Sequence, residues 1–484
     1  MSNKSLKLTV AALMLSNVMV GLDSTIINTA IPAIVADLKG IQFMGWLVAI
    51  YLMGLSLSVP IWTKIAERIS NKTALIYSIG LFVIGSILQG IAPNIIFFIC
   101  ARLIMGIGAG GMGSLPYIIV GFIISNIKDR TKSLGLLTGA FNSAAILGPL
   151  LGGVLIDTLS WHWVFFVNVP VGVVTLWMLF SFYHPKMPLS NKKFDIWGAF
   201  TLIGGLSLIL LGIQLIGIAN NLYVIGLLIA GVILTGFFFK VEQHVQANPI
   251  IPLELFKNRQ FVGDCLLFAI SWGAFIAVNT YLPTWAQGLL GASALLGGMT
   301  LIPNSIASIT ASQSVASLRE KFSDHFLVFV GLLCMLISSL GMAILGIKTP
   351  LWILIIVAAF SGIGVGLIFV SLQLKVQLDV KTENLATATS TSYLVRILAQ
   401  TLMSAIYGVI VDLQIGLGIA KHSDITMGMM SKLSDSASAK TLPANLLPIM
   451  RNIMHSGIWL VMVISSVMLV TAMIVNNIYL GKKD

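Results

Sequence analysis

Residues 21 to 34 read GLDSTIINTAIPAI: one carboxylate, Asp23, set in a run of small and apolar residues long enough to lie within a bilayer. The same character fills the chain. Of its 484 residues 57% are hydrophobic and 9% charged, and the mean hydropathy is +0.99, whereas a soluble domain carries about 25% charged residues. The composition therefore describes an integral membrane protein. Apolar windows of about twenty residues, separated by short charged loops, are the pattern of spanning helices and not of a barrel's alternating strands.

Fourteen such windows are expected, near 8–36, 43–65, 73–91, 94–122, 132–157, 161–183, 195–216, 222–240, 259–287, 292–316, 325–346, 350–372, 385–412 and 455–480. The first is longer than the apolar region of a secretory signal and carries Asp23, so it reads as a span. The net charge of +11 reports topology. Twenty of the 28 Lys and Arg fall in the termini and in alternate loops, against Lys39 and Lys348 in the short opposite loops. Positive charge marks the cytoplasmic side, which predicts a multi-pass protein of the plasma membrane with both termini in the cytoplasm and no nucleic-acid partner. Cys100, Cys265 and Cys334 lie in apolar segments without paired spacing, and the six histidines form no metal-binding pair; no metal and no cofactor are expected.

ERISNKTALIYSIG from Glu67 and EKFSDHFLVFVGLL from Glu320 follow one order of acid, base, apolar, serine, polar, base and apolar helix. The match sits where a duplicated six-helix unit would place it. It suggests an N-terminal lobe at 1–183, a two-helix insert at 194–240 and a C-terminal lobe at 257–484. Residues 413–454 contain SKLSDSASAK and Met427, Met429 and Met430, and read as an outer loop, hairpin or packed flap.

An acid near the middle of a membrane helix costs about 2.5 to 3.5 kcal/mol on insertion scales, so it marks a functional site by default. Asn17, Gly21, Ser24 and Asn28 form a polar stripe adjoining Asp23. Desolvation there disfavours the carboxylate and a nearby cation favours it, which lets the group exchange protons. The alternative is a structural acid locked in an ion pair or hydrogen bond. Arg102 shares a face with Gly106, Ala109 and Gly113, and Arg396 belongs to a stripe of Thr389, Tyr393, Gln400, Met403 and Tyr407. Arginine does not titrate, so either can tune a neighbour or attract an anion, or simply hold a backbone carbonyl.

Ala140, Ala144, Gly148 and Gly152 leave one side of the fifth window small, and Pro149 removes a helical hydrogen bond there. Trp272, Phe275 and Asn279 line one helix face. Aromatics over a cavity would stack on flat cations, although ordinary packing gives the same stripe. Asp264, one turn into its helix, is close enough to the surface to snorkel.

Together these motifs resemble the fourteen-helix drug/proton antiporters of the major facilitator superfamily. LDSTIINTAIPAI (22–34) resembles that family's helix-one motif, RLIMGIGAG from Arg102 its helix-four motif, AAILGPLLGG from Ala144 its helix-five antiporter motif with Ala for the first Gly, and WHWVFFVNVP from Trp161 its helix-six signature with His162 for Arg. The loop 63–72, TKIAERISNK, departs from the family's GxLaDrxGrk. Thr63 and Ser70 stand for Gly, Glu67 for Asp and Asn71 for Arg, while Glu67, Arg68 and Lys72 keep its charges.

The resemblance implies an all-α membrane protein with a major facilitator fold of two six-helix lobes plus a two-helix insert. Its expected work is multidrug efflux: small-molecule drugs or dyes, amphipathic and cationic or zwitterionic, leave in exchange for protons by alternating access, through a monomer surrounded by lipid. Asp23 and Arg102 would couple the proton. Asp23, Asn28, Trp272, Phe275, Asn279, Tyr393, Arg396 and Gln400 would meet the drug, and Gly148, Pro149, Gly152, Gly153, Glu67 and Arg68 would carry the conformational change. A dedicated exporter of one metabolite, lipid or peptide would use Asp23 equally. A membrane enzyme or sensor is disfavoured by the lack of a Walker motif, nucleophile elbow or metal pair.

Overall fold

The computed structural model describes residues 3–38, 44–184, 195–216, 219–244, 249–292, 294–422, 424–433 and 442–479, and its regular structure among these is helical. Eleven of the described helices are long and apolar enough to cross a membrane, and Trp197–Ile213 is a shorter apolar one. The chain divides into two compact units, residues 1–262 with 373–394, and residues 263–372 with 395–484.

The first unit holds α1 (Asn3–Asp37), α2 (Met44–Ile69), α3 (Asn71–Gly90), α4 (Ile95–Ile123), α5 (Ile127–Thr158), the short α6 (Trp163–Phe166), α7 (Asn168–Phe182), α8 (Ile196–Gln214) and α9 (Asn221–His244). Side chains at the N-caps begin several of these. The Thr73 amide donates to Ser70 Oγ, the Phe97 amide to Asn94 and the Gly198 amide to Asp195, each such cap contributing about 1 kcal/mol. Helices without a water-driven hydrophobic effect associate through close backbone approach, which small residues permit. α4 is built for this. A Cβ on Gly106 would lie 2.5 Å from the Tyr51 carbonyl oxygen of α2, and one on Gly108 would lie 2.5 Å from the Phe82 nitrogen of α3.

The second unit contains most of α10 (Arg259–Thr284), which continues into a π-helical turn at Trp285–Leu289, followed by α11 (Ala294–Met299), α12 (Ile302–Leu318) and α13 (Asp324–Ile344). α14 (Leu351–Leu378) and α15 (Leu385–Ala420) each contribute to both units, and α16 (Met427–Leu433) and α17 (Leu447–Tyr479) complete the second. The window expected at 292–316 is two helices, broken at Thr300 and Leu301 just before Pro303, whose missing amide suits the first turn of a new helix. The segment expected at 413–454 is shorter, because α15 runs on to Ala420 and α17 begins at Leu447. Of the described residues between them, Ile425, Met430, Leu433 and Leu442 join Trp285, Leu289 and Met450 in one apolar cluster.

Ser70 and Ser323 occupy matching places in the internal repeat and make the same cap, the Phe326 amide donating to Ser323 Oγ as Thr73 does to Ser70. Their backbones differ. Ser323 is extended at φ −71°, whereas Ser70 has φ 132°, the single positive φ at a non-glycine among the described residues. The family pattern places Gly at this position, and the chain keeps the glycine conformation while carrying a Cβ.

Candidate functional site

Asp23 lies on α1 in a setting of helix contacts made by its own motif. A Cβ on Gly21 would fall 2.5 Å from the Phe141 carbonyl oxygen of α5. On the facing helix, a Cβ on Gly148 would collide with the Thr25 hydroxyl and stand 3.0 Å from the Ile26 nitrogen, and one on Gly152 would collide with the Thr29 hydroxyl. The motif LDSTIINTAIPAI and the motif AAILGPLLGG are therefore the two sides of one seam. Gly153 differs, since nothing lies within 4 Å of the Cβ it lacks. Pro149 is half-buried. Asn28 lies on α1 with its side chain outside the described residues.

α4 delivers Arg102 to Asp23. Arg102 Nη1 donates to both carboxylate oxygens at 2.9 Å, and Arg102 Nε donates to the Leu47 carbonyl oxygen at 3.1 Å. The guanidinium carbon sits 4.3 Å from the centre of the Tyr51 ring. Asp23 and Arg102 are 0% and 1% exposed, so water screens the pair little. Leu47 and Tyr51 are one turn apart on α2, which gives a single helix both a carbonyl and a ring face for the same cation. The buried Tyr51 hydroxyl is close to the Asp23 carboxylate and makes no well-formed hydrogen bond. Tyr393 belongs to the same unit, its hydroxyl lying where a Cβ on Gly113 of α4 would go.

The predicted aromatic residues of the second unit gather about a cation of the protein itself. Arg396 stacks over Trp272 at 5.1 Å and over Phe369 at 4.5 Å, and Trp272 is tilted against Phe275 at 6.5 Å. Phe275 and Asn279 are half-buried on the same helix, and Gln400 is half-buried one turn after Arg396. Asp264 does not snorkel: it is fully buried, as are Phe261, Leu267 and Phe268 on the same helix. Sequence reading missed Tyr51, Phe369 and the Leu47 carbonyl. A lone Tyr in an apolar window was the available signal for the first; a carbonyl leaves none.

At the end of α2, Lys64 donates to Glu67 at 3.0 Å, and the Thr387 hydroxyl of α15 donates to the other Glu67 oxygen at 3.0 Å. Glu67 thus has partners on both sides, while Arg68 is exposed.

Residues 13–404 match the family model described as Major Facilitator Superfamily. Multidrug resistance protein 3 of Bacillus subtilis (strain 168) is 30% identical over 90% of this chain and 84% of its own length. Multidrug transporter protein MdtP of the same organism is 31% identical over 82% of this chain and 73% of its own. Among solved structures, the human organic anion transporter MFSD10 (TETRAN) superposes with a TM-score of 0.67, covering 97% of this chain and 99% of that one at 12% identity, a likeness of fold.

Proposed function

This chain belongs to the Major Facilitator Superfamily, a class of transporters and not of enzymes, and on that premise we propose that it is a proton-coupled multidrug efflux antiporter. Its substrates are small amphipathic drugs or dyes, cationic or zwitterionic, and its coupling ion is the proton. The observation that carries this reading is the Asp23–Arg102 pair, a titratable acid and a fixed cation sealed from water on two packed helices. Multidrug relatives at about the same identity across most of the chain support the substrate class.

Protonation of Asp23 from outside removes the charge that Arg102 and a cationic drug both seek, and drug is released. Deprotonation toward the cytoplasm restores an anionic site, which recruits the next molecule. A buried carboxylate exchanging partners in this way needs no change of backbone to alter its affinity. Tyr51 stands ready to hold the carboxyl group when the arginine leaves it. Arg396, with Trp272, Phe275, Asn279 and Gln400, would offer stacking and polar contacts to the planar part of the drug.

In this reading the moving parts are lobes 1–183 and 257–484, with 194–240 inserted between them and fourteen spans in all. The seam of Gly148, Pro149, Gly152 and Gly153 and the joint of Glu67 and Arg68 would carry the rocking of a monomer in the plasma membrane, both termini cytoplasmic. Purified protein in liposomes under an imposed pH gradient provides the test. Wild type should move ethidium only with the gradient, and Asp23→Asn should reduce that movement to background. Full gradient-driven transport by Asp23→Asn would remove Asp23 from the coupling role. Dye left unmoved by folded wild type would favour a dedicated exporter of one compound instead.

A further inference from the structure

Where α2, α8 and α9 meet in the first unit, two carboxylates stand together away from Asp23. Asp195 caps α8, its Oδ1 accepting from the Gly198 amide at 2.8 Å. Glu242, in the last turn of α9, accepts through Oε1 from the Ile251 amide at 2.5 Å. The second oxygen of each, Asp195 Oδ2 and Glu242 Oε2, is buried without a hydrogen-bond partner. Both point to one place beside Gly198, where a Cβ would collide with Asp195 Oδ2 and stand 3.1 Å from Glu242 Oε2. The two side chains are within hydrogen-bonding reach of each other, and the residues are 8% and 4% exposed.

The charged group that faces them from α2 is Lys64, which is already paired with Glu67 at 3.0 Å. Among the described residues, the other charged groups nearby in sequence, Lys240 and His244 on α9 and Glu254 and Lys257 in the following segment, are exposed. Among the described residues, a single buried lysine faces three carboxylates. Two carboxylates in contact and out of water do not both stay ionised, and a proton between them satisfies both orphaned oxygens at once.

We propose that Asp195 and Glu242 share one proton and form a second protonation site, which latches the two-helix insert to α2 and to the segment after α9. With the proton held, the O–H of one acid donates to the free oxygen of the other, the Ile251 amide stays on Glu242, and Lys64 offsets the single remaining charge. When the proton leaves for solvent, adjacent carboxylates repel and the joint opens. The Lys and Arg distribution places this joint on the cytoplasmic side, so it reads proton concentration there. The inference stands whether or not Asp23 couples transport.

Infrared spectra of the purified full chain, recorded across pH in light and heavy water, read the C=O stretch of a buried carboxylic acid directly. Wild type and Asp23→Asn should both show such a band near neutral pH and lose it as pH rises. Glu242→Gln and Asp195→Asn should each lose intensity from that band relative to wild type, because removing either charge allows the remaining acid to ionise, while any part due to the buried Asp264 stays. A band unchanged in both variants, or undiminished in Asp195→Asn alone, overturns the proposal. Should neither variant fold, Asp23→Asn decides: no buried-acid band in that protein is equally fatal.

Discussion

Among the described residues two arginines are buried, and they sit in different surroundings. Arg102 in the first unit rests on the Asp23 carboxylate, a carbonyl and the Tyr51 ring, while Arg396 in the second lies on the faces of Trp272 and Phe369. A carboxylate can gain a proton and release its cation; a ring quadrupole cannot. In the proposed reading the Asp23–Arg102 pair acts as a switch, whereas Arg396 rests on aromatic faces.

The sharpest way to break this comparison is to remove each guanidinium in turn. Arg102→Ala strands a buried carboxylate and should destabilise the protein by about 3 to 5 kcal/mol. Arg396→Ala removes stacking and should cost about 2 kcal/mol from that source. Thermal unfolding in one detergent ranks them, and an equal loss would show that Asp23 is not the partner that matters. Adding Asp23→Asn to Arg102→Ala should recover part of the loss, since the orphaned charge is gone.

The setting of Asp23 also depends on how closely α1 approaches α5. Gly148→Ala puts a methyl group against Thr25 and Ile26, two and three residues from Asp23, and should cost about 1 to 3 kcal/mol. Gly153→Ala, with open space around its Cβ, should stay within about 0.5 kcal/mol. Similar losses in the two would place the seam elsewhere.

The smallest effects separate the two serine caps. Ser323→Gly should cost a few tenths of a kcal/mol, the usual difference between these caps. Ser70→Gly loses the same bond but relieves a positive φ and should raise stability by about 1 kcal/mol. Melting curves of the two variants moving in opposite directions would confirm that the repeat shares its cap and not its backbone.

Asp23 and Arg102 were legible in the sequence because a charge in an apolar window stands out whatever the fold. The resemblance joined them in one task, but the geometry of the pair was not legible, since it depends on how far each helix is rotated and on three helices approaching at once. The Leu47 carbonyl has no sequence signature, and Tyr51 reads as one more aromatic in a membrane span. Trp272 and Phe275 were legible as a face, but what that face meets was set by Arg396, more than a hundred residues away. The α1–α5 seam could be read from its small residues, because spacing alone determines which side of a helix is bare. The break before α12 could not be placed, as Pro303 suits a helix start as well as a kink. The lysine balance marked the α2–α3 loop as charged, yet the partners of Glu67 come from Lys64 in its own turn and from Thr387 far along the chain.

The claim at the centre of this account is that drug and proton compete for Asp23. It is tested most directly by proton release on binding, measured with purified protein in weakly buffered detergent solution as ethidium is added. The account predicts that wild type releases protons as it binds dye and that Asp23→Asn, binding dye at higher concentration, releases none. Undiminished proton release by Asp23→Asn would contradict it and move the coupling proton to another group.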